Sequence, residues 1–377
     1  MTWASRLLTV LLLNSVSALA VSLNASQFKL TQSSRNAVIT SLDKILPIVT
    51  VADVLANTNH ANPTKTLSLS HFLRGYTWED VTGYDDENTT KWTPQGITTS
   101  ADALDVGVYQ TKKVILIDWY NSGGQGLGVR LSFIDRTSSG AASYRNALLV
   151  EPYTDTSGNP NFKAVKVHGG GIMWYGNLLY VVDTNNGIRV FDLNHIYKVT
   201  VGDAIGRQSN TVYEAYNYLY VVPQTLSYKA STLASPMRWS FIALDRTTTP
   251  DSIVVGEYAV DNTVPAPRLV RFSIDYTTRL LFTTNGVATA TWAYQVDILR
   301  MQGALSINGT FYISRSNGAS TNGDLFNWVP GNTATKYTGA LEIGCEDLSY
   351  NRNADELWTL SEHAGRRYFY ALKATAF

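Results

Sequence analysis

Apolar residues in this 377-residue chain fall into short runs broken by Gly, Asn, Asp and Thr, and one stretch alone keeps helical spacing. In residues 41–56, Leu42, Ile45, Leu46, Val49, Ala52 and Leu55 share a face, and Pro47 in the middle predicts a short or kinked helix. Beyond residue 90 the runs become β-branched and aromatic, which predicts consecutive antiparallel strands.

Those strands repeat. Residues 95–98 (QGIT), 170–173 (GGIM), 302–305 (QGAL) and 346–349 (EDLS) each open a unit. A second strand follows at 113–118 (KVILID), 177–183 (NLLYVVD), 309–314 (GTFYIS) and 356–360 (ELWTL). A third follows at 129–135, 187–192, 324–328 and 367–372, and outer strands are visible at 147–151 and 252–258. Two weaker copies begin at Asn210 and Arg268. The expectation is an all-β fold, a six-bladed β-propeller. A stacked β-sandwich does not explain why the units begin alike. The last unit holds three strands before Phe377, so the region 66–78, with its run 72–76, is expected to supply the fourth and close the ring. The expected organisation is a leader at 1–20, an extension with a short helix at 21–65, and one propeller domain at 66–377.

In a propeller the start of each first strand faces one mouth of the central channel. The repeat register therefore selects Gln95, Gly170, Asn210, Arg268, Gln302 and Glu346, with His168 just above, and Asp347, Trp174, Tyr213 and Tyr350 further along. Glu346 and Arg268 are alternatively a structural ion pair between blades. His168 is the acid or base candidate. Gly169, Gly170 and Gly171 lack the strand-to-helix context of a phosphate loop and suit close backbone approach instead. Ser361, Glu362 and His363 precede a turn at Gly365 and read as surface.

Composition narrows the chemistry. Thirty basic residues balance thirty acidic ones without clustering, which argues against nucleic acid and against an anionic membrane surface. No G-x-S-x-G or H-E-x-x-H occurs, and His60, His71, His168, His195 and His363 show no metal-ligand spacing, so no metal or cofactor is expected. The single cysteine, Cys345, reads as a small buried hydrophobe. Tyr and Trp are abundant, at twenty-two and nine, and suit either an organic ligand or β-sheet packing. Arg6, the apolar run 7–13 and Ala18-Leu19-Ala20 read as a signal peptide cleaved near Ala20, so a secreted protein is expected. Sequons at Asn24, Asn88 and Asn308 fit that route as glycosylation sites.

The phrases at 92–98 (WTPQGIT), 168–174 (HGGGIMW) and 345–350 (CEDLSY) resemble a family of secreted fungal propeller-type proteins that includes the hetero-Diels–Alderases of tropolone sesquiterpenoid biosynthesis. The resemblance runs from about residue 60 to the C-terminus through diffuse blade phrases, not a catalytic signature. It implies dehydration of a hydroxymethyl-tropolone to a quinone methide, which a humulene-type sesquiterpene then traps as a dihydropyran. With that chemistry, Trp92, Trp119, Trp174 and Tyr350 become candidate apolar walls. Gln95, Asn210, Gln302 and Arg268 become donors to substrate oxygens, and Glu346 or His168 the general acid. Two other functions suit the same residues: a secreted carbohydrate lyase or hydrolase using Glu346 with Asp347 or His168, and a non-catalytic glycan- or partner-binding propeller.

Overall fold

The computed structural model describes residues 20–138, 140–261 and 266–377. The leader expected at 1–20 lies outside them except for Ala20.

Strands account for nearly all the regular structure. Among the described residues the strands form five four-stranded antiparallel blades, where six were expected. The first blade runs Thr93–Thr99, Val114–Tyr120, Val129–Asp135 and Ala142–Thr154. The second runs Ile172–Tyr175, Leu178–Asp183, Gly187–Asp192 and Tyr220–Ala230. The third runs Trp239–Asp245, Ser252–Glu257, Arg268–Ser273 and Trp292–Gln295. Met301–Ile307, Thr310–Arg315, Gly323–Trp328 and Thr335–Leu341 make the fourth. In the fifth, Cys345–Asn351, Glu356–Ser361 and Phe369–Lys373 take Phe72–Tyr76 as their outer strand.

The sixth unit disappears for a structural reason. Tyr220–Ala230 is the outer strand of the second blade, reached after an insertion that carries the hairpin Ile205–Arg207 and Tyr213–Ala215. Arg268–Ser273 is a third strand, so the two weak copies contribute one blade between them.

The five first strands close on one another. Thr93–Thr99 lies against Ile172–Tyr175 and Cys345–Asn351; Trp239–Asp245 lies between Ile172–Tyr175 and Met301–Ile307; Met301–Ile307 returns to Cys345–Asn351. Blades stacked in this way bury both faces of each sheet. The second strands Val114–Tyr120, Leu178–Asp183 and Glu356–Ser361 are accordingly buried almost throughout, and read as mainly apolar runs.

Each gap between blades is filled by its own apolar cluster. Met173, Tyr180, Val190, Ile242 and Val270 fill the gap between the second and third blades. Trp78, Trp119, Tyr144, Trp358 and Phe369 fill the gap between the fifth and first, with the Trp78 and Trp119 rings edge-on at 4.5 Å. Aromatic contacts of this kind add about 1 kcal/mol each beyond the area they bury. Within the same gap Arg130 sits 4.9 Å from the Trp92 ring and 4.4 Å from Trp119, and pairs with buried Asp86 at 2.8 Å.

Residues 21–65 belt the outside. Val21–Ser22 joins the edge of the third blade, Lys29–Gln32 bridges Tyr220–Ala230 and Val287–Thr289, and His60–Asn62 pairs with Ala142–Thr154. These pairings cover strand edges that would otherwise be open to other chains. The helical stretch splits into Val38–Leu42 and Val51–Ala56, with Ile48–Val49 as a short strand between them. Pro47 ends the first helix region, and Thr50 starts the second with a capping box to Asp53. No helix among the described residues is long and apolar enough to cross a membrane. Asn24, Asn88 and Asn308 are all exposed.

Candidate functional site

One local irregularity recurs on the inner strands. The register slips between Pro94 and Ile97, Trp239 and Phe241, Met301 and Gly303, and Cys345 and Leu348. Such a bulge leaves the extra residue unpaired and re-aims its side chain. The residues concerned are Gln95, Ser240, Gln302 and Glu346. In the second blade Gly170 stands at this level, where a Cβ would lie 2.3 Å from the Ser240 carbonyl oxygen. The close backbone approach expected of the glycine run is what the structure shows.

The bulged residues join in a chain around the mouth. Gln95 Nε2 donates to Glu362 Oε2 at 3.0 Å. The Glu362 carboxyl neighbours that of Glu346 and raises it. Gln302 Nε2 donates to Glu346 Oε1 at 2.8 Å, and Ser240 Oγ stands 3.5 Å from Gln302 Oε1. Burial first, then the Glu362 and Asp347 charges, hold the Glu346 carboxyl well above the usual carboxylate range. Glu346 therefore retains a proton that an isolated glutamate would release. Glu346 is almost fully buried, whereas Glu362 keeps about a quarter of its side chain open, with 24% exposed. Glu362 is therefore the member a ligand can touch.

On the other side of Tyr120 lies a cavity of about 760 Å³, lined by Tyr120, Lys166, His168, Asp183, Arg189 and Arg238 among others. The His168 ring lies 4.2 Å from Tyr120. Although its outer face is open, the groups crowding its other side, and then Arg238, hold His168 below the usual histidine range. Tyr120 links cavity and carboxyl pair: burial raises its phenol, and the Glu362 and Glu346 charges add to the shift.

Beneath the rim two further carboxyls hold the ring together. Asp118 Oδ1 accepts the Gly96 amide at 2.7 Å. Asp347 accepts the amides of Leu348 at 3.0 Å and Ile172 at 3.1 Å, which ties the fifth blade to the second. Burial is the main cause that raises both carboxyls well above the ordinary aspartate range. Lower still, Asp102 Oδ2 accepts from Thr98 at 2.8 Å and Ser349 at 2.6 Å, so this end of the channel is a closed polar plug.

A group whose folded pKa lies above its unfolded value adds stability below the unfolded pKa, about 3.9 for Asp, and loses it as pH rises through the folded value. Asp118→Asn keeps the oxygen that accepts from Gly96 but cannot ionise. The variant is expected to lose less stability than the parent between pH 4 and alkaline pH. Urea midpoints across that range check this, and parallel curves for both proteins would contradict it.

Several positions selected by the repeat register stand elsewhere. Arg268, on a third strand, forks onto Glu257 with both bonds at 2.7 Å and reaches the Ser235 and Pro236 carbonyls, so its partner is not Glu346. Asn210 is exposed beside the outer hairpin, where Arg207 donates to it. Trp174 is fully buried against Tyr109 at 4.5 Å, and Trp119 and Trp92 are core residues too. Tyr350 lines a different cavity at the far end of the inner strands, with Arg246, Ser306 and Arg352. Cys345 is buried, its thiol donating to the Arg315 carbonyl at 3.4 Å and raised by burial. Gln302 meets Glu346, and Gln95 meets Glu362 beside them, while His168 stands against Tyr120 in the neighbouring cavity. Glu362, read as surface, is the residue missed. A hairpin signal was available for it, because Cys345 pairs with Ser361 and so returns the next residue to the rim.

No protein-family model matches the chain, and no curated protein matches it. Among solved structures it is similar to the GH43_1 enzyme from Xanthomonas citri complexed with xylotriose, at 9% identity over 89% of this chain and 92% of that one, TM-score 0.34. It is also similar to the Cps50 (Swd1) β-propeller domain of Myceliophteria thermophila, at 9% identity over 82% and 100% of the two chains, TM-score 0.36. Overlaps this loose carry no argument about activity. The propeller architecture rests on the strand order and ring closure described above.

Proposed function

We propose that the mouth is a small-molecule site in which the Glu346–Glu362 pair supplies a proton. The observation that carries this reading is a buried carboxyl, Glu346, held by the Gln302 amide beside a part-open one, Glu362, held by the Gln95 amide. Its chemistry is general acid catalysis.

The resemblance noted in the sequence names a reaction that suits such a site. Glu362 protonates the hydroxyl of a hydroxymethyl-tropolone, the C–O bond breaks and water leaves. The ring hydroxyl returns its proton to the pair, so the carboxyls are restored and the product is a neutral quinone methide. Cycloaddition then forms one C–C and one C–O bond to an alkene of a humulene-type sesquiterpene, with no further proton transfer. That step needs only orientation, and holding two reactants in place is worth several kcal/mol, on the order of 7 in favourable cases.

The competing readings find less support in the geometry. Glycosidase carboxyls both reach the scissile bond of the sugar, whereas Glu346 is almost fully buried. Asp347 is occupied by backbone amides. Of the aromatic residues a glycan-binding mouth would use, Trp92, Trp119 and Trp174 are buried, which leaves Tyr120 in the cavity.

Purified protein incubated with a hydroxymethyl-tropolone and humulene is expected to form the dihydropyran adduct faster than buffer does. A rate equal to buffer would overturn the reaction proposed.

A further inference from the structure

The cavity beside the carboxyl pair carries an unbalanced positive wall. Four cationic or potentially cationic side chains line it: Lys166, His168, Arg189 and Arg238. Arg189 is neutralised, its Nε on Asp183 at 3.0 Å and its Nη1 on Glu151 at 3.2 Å. Asp183, the carboxylate in the lining, is thereby consumed.

Lys166 and Arg238 form no ion pair among the described residues. Arg238 places its guanidinium 5.2 Å from the Tyr258 ring centre. Lys166 folds over Gly126, where a Cβ would lie 3.2 Å from Nζ. The field of Arg238 is felt inside the cavity, since it contributes to the lowered basicity of His168. Beside the two cations the Tyr120 and His168 rings, 4.2 Å apart and inclined at 40° to each other, offer an aromatic wall.

We infer that Lys166 and Arg238 form an anion subsite that takes the ionised oxygen of a small aromatic acid, with its ring against Tyr120 and His168. A carboxylate or acidic enol placed there meets two donors that need not break an existing ion pair, in a cavity of a size suited to a small organic ligand. The acidic group is thereby held beside the proton-donating carboxyls, which face a separate part of the ligand. This assignment rests on the mouth being a small-molecule site but not on its proton transfer.

Calorimetric titration at low ionic strength tests it with benzoate, its neutral counterpart benzyl alcohol, and sulfate. Benzoate is expected to bind, and the Lys166→Ala/Arg238→Ala double variant to weaken it by about tenfold or more, equivalent to about 1.4 kcal/mol. Both side chains are exposed, so the variant is expected to melt with the parent, and Lys198→Ala on the outer surface serves as a control. Benzyl alcohol binding as well as benzoate, or unchanged benzoate affinity in the double variant, would overturn the subsite. Sulfate displacing benzoate at equal concentration would overturn its assignment to an aromatic acid. Glu362→Gln is expected to keep benzoate binding. Benzoate binding together with no adduct formation from a hydroxymethyl-tropolone and humulene would thus sink the reaction proposed above and leave the anion subsite standing.

Discussion

Glu362→Gln is expected to slow adduct formation by about 100-fold or more, the usual contribution of a positioned general acid. The amide keeps the size of the side chain and a partner for Gln95, but it has no acidic proton to give. Glu346→Gln is expected to cost a similar factor for a different reason. It removes the buried carboxyl that is held well above the usual carboxylate range and so keeps the proton to be donated. Because the two groups act as one unit, the double variant should be no slower than the worse single. A pH–rate profile separates this from a merely structural role. The parent should lose activity as the pair ionises with rising pH, and Glu346→Gln should shift that loss to lower pH. Multiplicative losses in the double variant, or a profile unmoved by Glu346→Gln, would contradict a proton supplied by the pair.

Gly170→Ala is expected to destabilise the ring on the order of 3 kcal/mol, at the upper end for an overpacked site. The added Cβ would meet the Ser240 carbonyl oxygen at 2.3 Å and two more backbone atoms of the same residue within 3.5 Å. Backbone cannot swing aside as a side chain can. The contact also joins the second blade to the third, so relief requires opening the ring. Gly318→Ala is the comparison: it has nothing within 4 Å, but its φ of +84° favours glycine. That strain costs about 1 kcal/mol, so the steric variant should show the larger fall in urea midpoint. Equal falls would mean that the ring yields at Gly170 more easily than its packing implies.

Strand after strand was legible in the chain because blades buried on both faces leave mainly apolar runs such as VILIDWY at Val114–Tyr120, broken only by Asp118. The blade count was not legible. A hairpin inserted before Tyr220–Ala230 imitates a blade start at Asn210, and the third strand from Arg268 imitates another; both are apolar-polar segments of the right length. Pairing partners, which sequence similarity does not report, decide between a first strand and a third.

The site divides along the same boundary. Gln95, Gln302 and Glu346 were found from register alone, since equivalent positions in equivalent blades must share the mouth. Glu362 required knowing where its hairpin returns, and the supposed aromatic walls required knowing that the Trp92, Trp119 and Trp174 rings are spent on packing between blades. Local pattern by itself determined that this chain makes short antiparallel strands repeating around a polar-rimmed axis, because side-chain periodicity and turn chemistry act over a few residues. Only the closed ring decided that there are five blades, that two glutamates from one hairpin lie side by side, and that two cations face the same cavity. Those outcomes depend on contacts between residues far apart in the chain, and such contacts exist only once the last blade has met the first.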